Sequence, residues 1–224
     1  FKKGFSGVRK EAEDHLAKLD RTSIKDLDKE VFYKSVILTC DGIIRFAEKY
    51  GIEAEKSAKV EANEQRKYEL EKIAKICTRV PANPPESFHE AIQFVWFTQL
   101  GGIISENPLA LNPGRFDQFM YPYYKKDTEK GIITKEEAQE LIEALWLKFS
   151  EWVWTISSNT AGFFAGYNQF QNLTVGGRTR EGLDATNELS YMCLKATDSV
   201  RTHQPGLSVR IHADCPQEFL DAVS

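Results

Sequence analysis

At 224 residues, with 42% hydrophobic and 28% charged side chains, the chain has the balance of an ordinary globular protein and the length for one large domain or a substantial part of one. A net charge near −4 gives no electrostatic basis for binding nucleic acid or an anionic membrane surface. The longest apolar run, Phe94-Val95-Trp96-Phe97, is bounded by Gln93 and Thr98 and falls far short of the roughly 20 residues that a membrane span needs, so neither nucleic acid nor membrane is an expected partner.

The first 80 residues are helical in pattern. A segment near Val8 to Leu19 is followed by Leu27 to Tyr50, where Val31, Phe32, Val36, Ile37, Ile43, Ile44 and Phe46 are dense enough to predict a mostly buried helix, with Gly51 as its C-cap. From Ala54 to Arg79 alternating charges predict a solvated outer helix. Pro81, Pro84 and Pro85 mark a turn. Ser87 and Glu90 then form a capping-box pattern ahead of a helix from Phe88 to Leu100, which Gly101-Gly102 is expected to break. A short strand or loop through Ile103-Ile104 leads into an irregular segment, Glu106 to Arg115. Thr134 and Glu137 open another helix, in which Leu141, Ile142, Leu145, Trp146, Phe149 and Trp152 recur at core-packing spacing.

The last third changes character. A strand, Gln169 to Gly177, a helix-length segment around Asp184 to Tyr191, and a strand, Gly206 to His212, form the strand–helix–strand unit that builds parallel sheet. Pro216 opens a final helix. No internal domain boundary stands out.

Few residues announce chemistry by themselves. Cys40, Cys77, Cys193 and Cys215 are widely spaced and are expected to be free, buried thiols in a reducing cytosol. His212-x-x-Cys215 lacks a second ligand pair and His15, His89 and His203 lie in no metal motif, so no metal site is expected. Gly101-Gly102 and Gly176-Gly177 do not match a phosphate-binding loop. Asn172-Leu173-Thr174 is a sequon inside a predicted strand and is discounted.

Three segments in order carry a more specific signal: Asn112-Pro113-Gly114-Arg115-Phe116-Asp117-Gln118, Gln169 to Gly177, and Gly206 to His212. Together they resemble the glycyl radical enzyme family that includes pyruvate formate-lyase. The resemblance runs over essentially the whole chain. It implies an α/β fold, part of a ten-stranded α/β barrel of two half-barrels surrounded by helices, helix-rich here in its first 160 residues. It also implies an anaerobic lyase that cleaves a C–S, C–C or C–O bond through thiyl and substrate radicals. The glycyl radical is installed by an S-adenosylmethionine-dependent iron–sulfur activase, and no cofactor is bound by this chain itself. Expected partners are a small-molecule substrate, the activating enzyme and a second copy in a cytoplasmic homodimer.

In the resembled family the thiyl cysteine and the radical glycine lie further toward the C terminus, and neither motif occurs here. Because the chain starts at Phe1 without methionine and stops at Ser224 inside a predicted helix, it is expected to be an inactive internal fragment, residues 1–224 of a partial pyruvate formate-lyase-like domain. The resemblance places Leu109 and Ala110 where diol-dehydrating members carry a His-Ser dipeptide. It also places Phe164 and Phe170 as aromatic pocket walls, with core packing as the alternative. Arg115 and Asp117 are expected to anchor a loop; Arg210 alternates to the same face as Ser208 and His212, which makes one of the three a candidate for the cavity, with a role away from it the favoured reading. The segment Gly162 to Gly177, with the Leu109-Ala110 loop, resembles most the branch that includes isethionate sulfite-lyase and arylacetate decarboxylases, and within it leans toward isethionate. A diol- or amine-alcohol-eliminating enzyme and a noncatalytic α/β scaffold remain alternatives.

Overall fold

In a computed structural model, residues 1–20, 22–152, 155–164 and 170–224 are described, and they form two compact units, Phe1–Glu86 and Ser87–Ser224. The units part just after the proline-marked turn.

The first unit is helical: α1 (Gly4–Leu16), α2 (Ile24–Val60) and α3 (Glu64–Arg79), with α1 and α3 both packed on α2. Three expectations fail here. Gly51 does not cap α2 but lies buried inside it, and a Cβ there would sit 2.9 Å from Thr78 Cγ2 and 3.1 Å from the Ala74 carbonyl. Glycine thus lets α3 approach closely, continuing a seam of small buried residues, Ala47, Gly51, Ala54 and Ala58. Nor is α2 mostly buried, because its large side chains point elsewhere: Ile24, Val31 and Leu38 are 83%, 66% and 74% exposed. Apolar density does not set direction; the small seam does. The outer helix expected from Ala54 is split, since residues 54–60 belong to α2 and Asn63 caps a new helix by accepting the Arg66 N–H at 2.9 Å.

The second unit contains α4 (Phe88–Glu106), α5 (Phe116–Glu129), α6 (Lys135–Ser150), α7 (Ser158–Phe164), β1 (Asn172–Gly176), α8 (Glu188–Val200), β2 (Gly206–Arg210) and α9 (Gln217–Val223). Ser87 caps α4 and Thr134 with Glu137 forms the full capping box of α6. Gly101-Gly102 does not break α4, and Ile103-Ile104 is helical rather than strand. The missing Cβ of Gly102 admits Leu111, whose Cδ2 lies 2.7 Å from where it would be, and the helix ends at Asn107 in the left-handed region. No element is predicted where α5 lies; Pro122 sits inside it, and Phe116, Met120 and Tyr124 make a fully buried stripe. Buried Asp127 at its far end accepts the Phe88 N–H at 2.7 Å and so pins the start of α4.

The core forms around Trp146, which is 1% exposed, meets Phe116 edge-on at 5.8 Å between ring centroids and donates to Thr197 Oγ1 at 3.0 Å. Beside it, β1 and β2 pair in parallel with Asn172 opposite Gly206 and Gly176 opposite Arg210, joined through α8 as the sequence pattern requires. On the other edge of β1, residues 110–114 also run parallel, through bridges Ala110–Phe170 and Gly114–Leu173. No helix among the described residues is long and apolar enough to cross a membrane.

Candidate functional site

The parallel runs present two unlike faces. Gln171, Leu173 and Val175 are buried, and α5 and α8 pack against β1. Alternation therefore turns Phe170, Asn172 and Thr174 to the opposite face, with Ser208 and Arg210 on β2 and Ala110 as register partner of Phe170. These residues are half-buried or exposed, Phe170 at 42%. The face thus mixes apolar and polar side chains at the start of the parallel strands.

Of the expected pocket residues, Leu109, Ala110 and Phe170 come together. The Phe170 N–H donates to the Leu109 carbonyl at 2.9 Å, and Leu109 itself is 39% exposed. Phe164 ends α7 and is half-buried; residues 165–169, which link it to Phe170, lie outside the described residues.

The edge run carries one extra residue, since Ala110 to Gly114 opposes only Phe170 to Leu173. The side chain of Asn112 fills the resulting gap in the ladder, its Oδ1 accepting the Asn172 N–H at 2.8 Å, and the Thr174 N–H then reaches the Gly114 carbonyl at 2.8 Å. A bulge of this kind re-aims neighbouring side chains, here at Ala110 and Phe170.

Arg115 and Asp117 lock that arrangement from behind. Arg115 Nη2 donates to the Gly176 carbonyl at 2.7 Å and Nη1 to the Arg178 carbonyl at 3.1 Å, while Asp117 Oδ2 accepts the Gly176 N–H at 2.7 Å and the Ser190 hydroxyl at 2.6 Å. Both sides of Gly176 are thereby held by one turn of chain. Asp117 is fully buried, and desolvation pushes its carboxyl above the ordinary range against the opposing pull of Ser190 and the Gly176 N–H.

At the other end of the strands a second cluster forms. His212 Nε2 lies 3.0 Å from Asp184 Oδ1 and 3.1 Å from the Gly177 carbonyl, its Nδ1 accepts the Asp214 N–H at 3.2 Å, and Cys215 Sγ accepts the His212 N–H at 3.2 Å. Asp184, His212 and Cys215 thus make a group of three that could hold an ion. The Asp214 N–H, however, requires a bare Nδ1, which leaves a neutral ring's proton on Nε2, the atom an ion would need. The ring therefore serves as a donor that ties the loop after β1 to the end of β2. Of Ser208, Arg210 and His212, the first two face the open surface and His212 is taken up in this clasp. Cys40, Cys77 and Cys193 are buried, and burial pushes the Cys77 thiol to about 11; Cys215 is only half-buried, contrary to expectation, because it sits in the clasp at the strand end.

Asn172, Ser190 and Asp184 did not stand out in the sequence as site residues, and Ser208 did so only as one of three candidates for the cavity. Strict alternation would have flagged Asn172, but polar Gln171 on the buried face blurs it; Gln171 is tolerated there because its Nε2 donates to the Phe149 carbonyl at 3.3 Å. The sequon of Asn172 is occupied structurally, with Nδ2 donating to Ser208 Oγ at 2.9 Å.

The parallel pair β1–β2, with α5 and α8 packed against one face of β1, is the local form of an α/β fold. The comparisons make this specific. All of residues 1–224 match the pyruvate formate lyase-like family, and the chain belongs to it. It is 39% identical to the isethionate sulfite-lyase of Oleidesulfovibrio alaskensis (strain ATCC BAA-1058 / DSM 17464 / G20), covering 100% of this chain and 27% of that protein. Among solved structures, the glycerol-bound B12-independent glycerol dehydratase from Clostridium butyricum superposes with a TM-score of 0.92 at 40% identity, over 99% of this chain and 28% of that one. A glycyl radical enzyme from Archaeoglobus fulgidus gives a TM-score of 0.93 at 37% identity, again over 99% of this chain and 28% of its own. The chain thus spans little more than a quarter of the length of these relatives.

Proposed function

We propose that residues 1–224 are the N-terminal to middle portion of the barrel of a glycyl radical lyase, part of a pyruvate formate-lyase-like domain. The observation that supports this reading is the meeting of Ala110 and Phe170 on the face opposite that on which α5 and α8 pack against β1. In a ten-stranded barrel of two half-barrels, such a face lines the lumen. Radical chemistry needs that enclosure, because a thiyl or carbon radical attacks many bonds and must be kept from solvent and oxygen. The thiyl group supplied from elsewhere in the full-length enzyme would take hydrogen from the substrate. Leu109, Ala110, Phe164 and Phe170 exclude water and orient the substrate. An S-adenosylmethionine-dependent iron–sulfur activase, a homodimer and a cytoplasmic location belong to the same reading.

Isethionate is the favoured substrate, with cleavage of its C–S bond. Neither Leu109 nor Ala110 can hydrogen-bond a second substrate hydroxyl through its side chain, and burying one there unpaired costs roughly 1–3 kcal/mol. Glycerol and propane-1,2-diol are therefore expected to turn over more slowly than isethionate or an arylacetate. Anaerobic assay of the activated full-length enzyme with this panel tests it, and faster turnover of glycerol would refute the pocket. The diol-eliminating reading has in its favour the 40% identity to the glycerol dehydratase. A full-length protein that gains no glycyl radical signal on activation would instead be a scaffold.

Phe170→Ala in the same enzyme is expected to slow turnover at least tenfold, about 1.4 kcal/mol of positioning energy. An unchanged rate would return Phe170 to a packing role.

A further inference from the structure

We infer that Asn172 and Ser208 together bind a hydroxyl group of the substrate and decide the enzyme's preference for hydroxylated over deoxy ligands. This rests on the lyase reading above and assigns the polar half of the same site.

The pair stands on the lined face, not on the packed one. Asn172 shares its face with Phe170, about 7 Å further along the strand by the usual rise, while Leu173 between Asn172 and Thr174 is fully buried. Ser208 is exposed on the adjoining strand. Gly206, the register partner of Asn172, makes room for the amide: a Cβ there would stand 3.1 Å from Asn172 Oδ1. The backbone of Asn172 is held from the other edge, its N–H donating to Asn112 Oδ1 at 2.8 Å, so the bulge that brings Ala110 against Phe170 also anchors the backbone that carries this amide.

Its hydrogen-bonding capacity is only half spent. Asn172 Nδ2 donates to Ser208 Oγ at 2.9 Å, and Ser208 Oγ donates back to Asn172 Oδ1 at 3.2 Å. With both bonds made, one amide N–H remains to donate, and lone pairs on Oδ1 and Oγ remain to accept. A hydroxyl, which can both accept and donate, can take the remaining N–H or give its hydrogen to one of the remaining lone pairs. A sulfonate or carboxylate has nothing to donate and meets no positive charge from these two side chains. The loop position that would read a diol is apolar here, at Leu109 and Ala110, so the pair supplies recognition for one hydroxyl and not for two. A molecule with a hydroxyl at one end and an anionic group at the other fits this division.

The test compares full-length wild type with Ser208→Ala, Ser208→Thr and Asn172→Ala, each activated anaerobically and checked for an undiminished glycyl radical signal. KM and kcat are measured for isethionate, and inhibition constants for ethanesulfonate, which lacks only the hydroxyl. The expected result is a rise of about tenfold or more in isethionate KM for Ser208→Ala and Asn172→Ala, with ethanesulfonate inhibition unchanged and Ser208→Thr close to wild type. Equal weakening of both ligands, or an unchanged KM, would overturn the inference. Should an enzyme that carries its radical turn over no isethionate, the substrate reading fails separately, and the pair is judged on propane-1,2-diol against propan-1-ol by the same criterion. Preference of wild type for an arylacetate without a hydroxyl over both hydroxylated substrates would also overturn it. Because Ser208 is exposed, its alanine variant separates lost recognition from lost folding.

Discussion

Asp117→Ala is expected to loosen the C-terminal end of β1 more than any change at the pocket surface. Its Oδ2 receives the Gly176 N–H at 2.7 Å and the Ser190 hydroxyl at 2.6 Å in a fully buried setting, so removing the carboxylate strands two buried donors and leaves the Arg115 guanidinium without its nearby countercharge. Two stranded buried donors cost about 3 kcal/mol together. Hydrogen exchange in the full-length protein reads this locally: β1 amides that open through this region are expected to exchange about a hundredfold faster. Protection equal to wild type would show that Arg115 alone holds the strand end.

The same residue gives a pH signature. Burial raises the folded pKa of Asp117 above its ordinary value of 3.8, so its protonated form is the one folding favours. Its contribution to stability is therefore present below the unfolded value and is lost as pH rises through the raised folded one. Measured against Asp117→Asn, which does not titrate, wild type is expected to gain relative stability as pH is lowered from neutrality toward 4. A flat difference, or one of opposite sign, would mean that Arg115 and the hydrogen bonds outweigh desolvation.

Gly176→Ala is the second large effect. Gly176 has φ +71, and a Cβ there would stand 2.9 Å from Phe219 Cε1 and 3.0 Å from the Arg210 carbonyl, which already accepts the Gly177 N–H at 2.9 Å. Left-handed strain and overpacking each cost of order 1–2 kcal/mol, together about 3. Gly182→Ala supplies the comparison, with φ +84 but open space around the added carbon, and about 1 kcal/mol is expected there. Equal losses by hydrogen exchange or thermal melting would remove the packing part of the argument. Since Gly176 carries the groups that Arg115 and Asp117 hold, the larger loss is expected to be accompanied by slower turnover.

What the sequence determined by itself was whatever is encoded by near neighbours. Caps at Ser87 and Thr134, the aromatic stripe of α6 and the two strands around α8 follow from local spacing, and the structure contains them. Residues 112–118 and the Gly-Gly strand carried the family. Only the tertiary structure decided where chain meets chain. Gly51 and Gly102 read as stops by their own conformational preference, yet each sits inside a helix because Thr78 or Leu111 occupies the space its side chain would need. The helix α5 continues through Pro122, its buried stripe offsetting the hydrogen bond the proline cannot make. The pairing of Ala110 with Phe170, the hold of Arg115 and Asp117 on Gly176, and the meeting of Asn172 with Ser208 join residues separated by 36 to 61 positions. Such pairings follow from register and burial rather than from the pattern of any one segment. Physically, propensity acts within a turn of helix or a few residues of strand, whereas a site of this kind is made by close packing, which couples parts of the chain that have no local influence on each other.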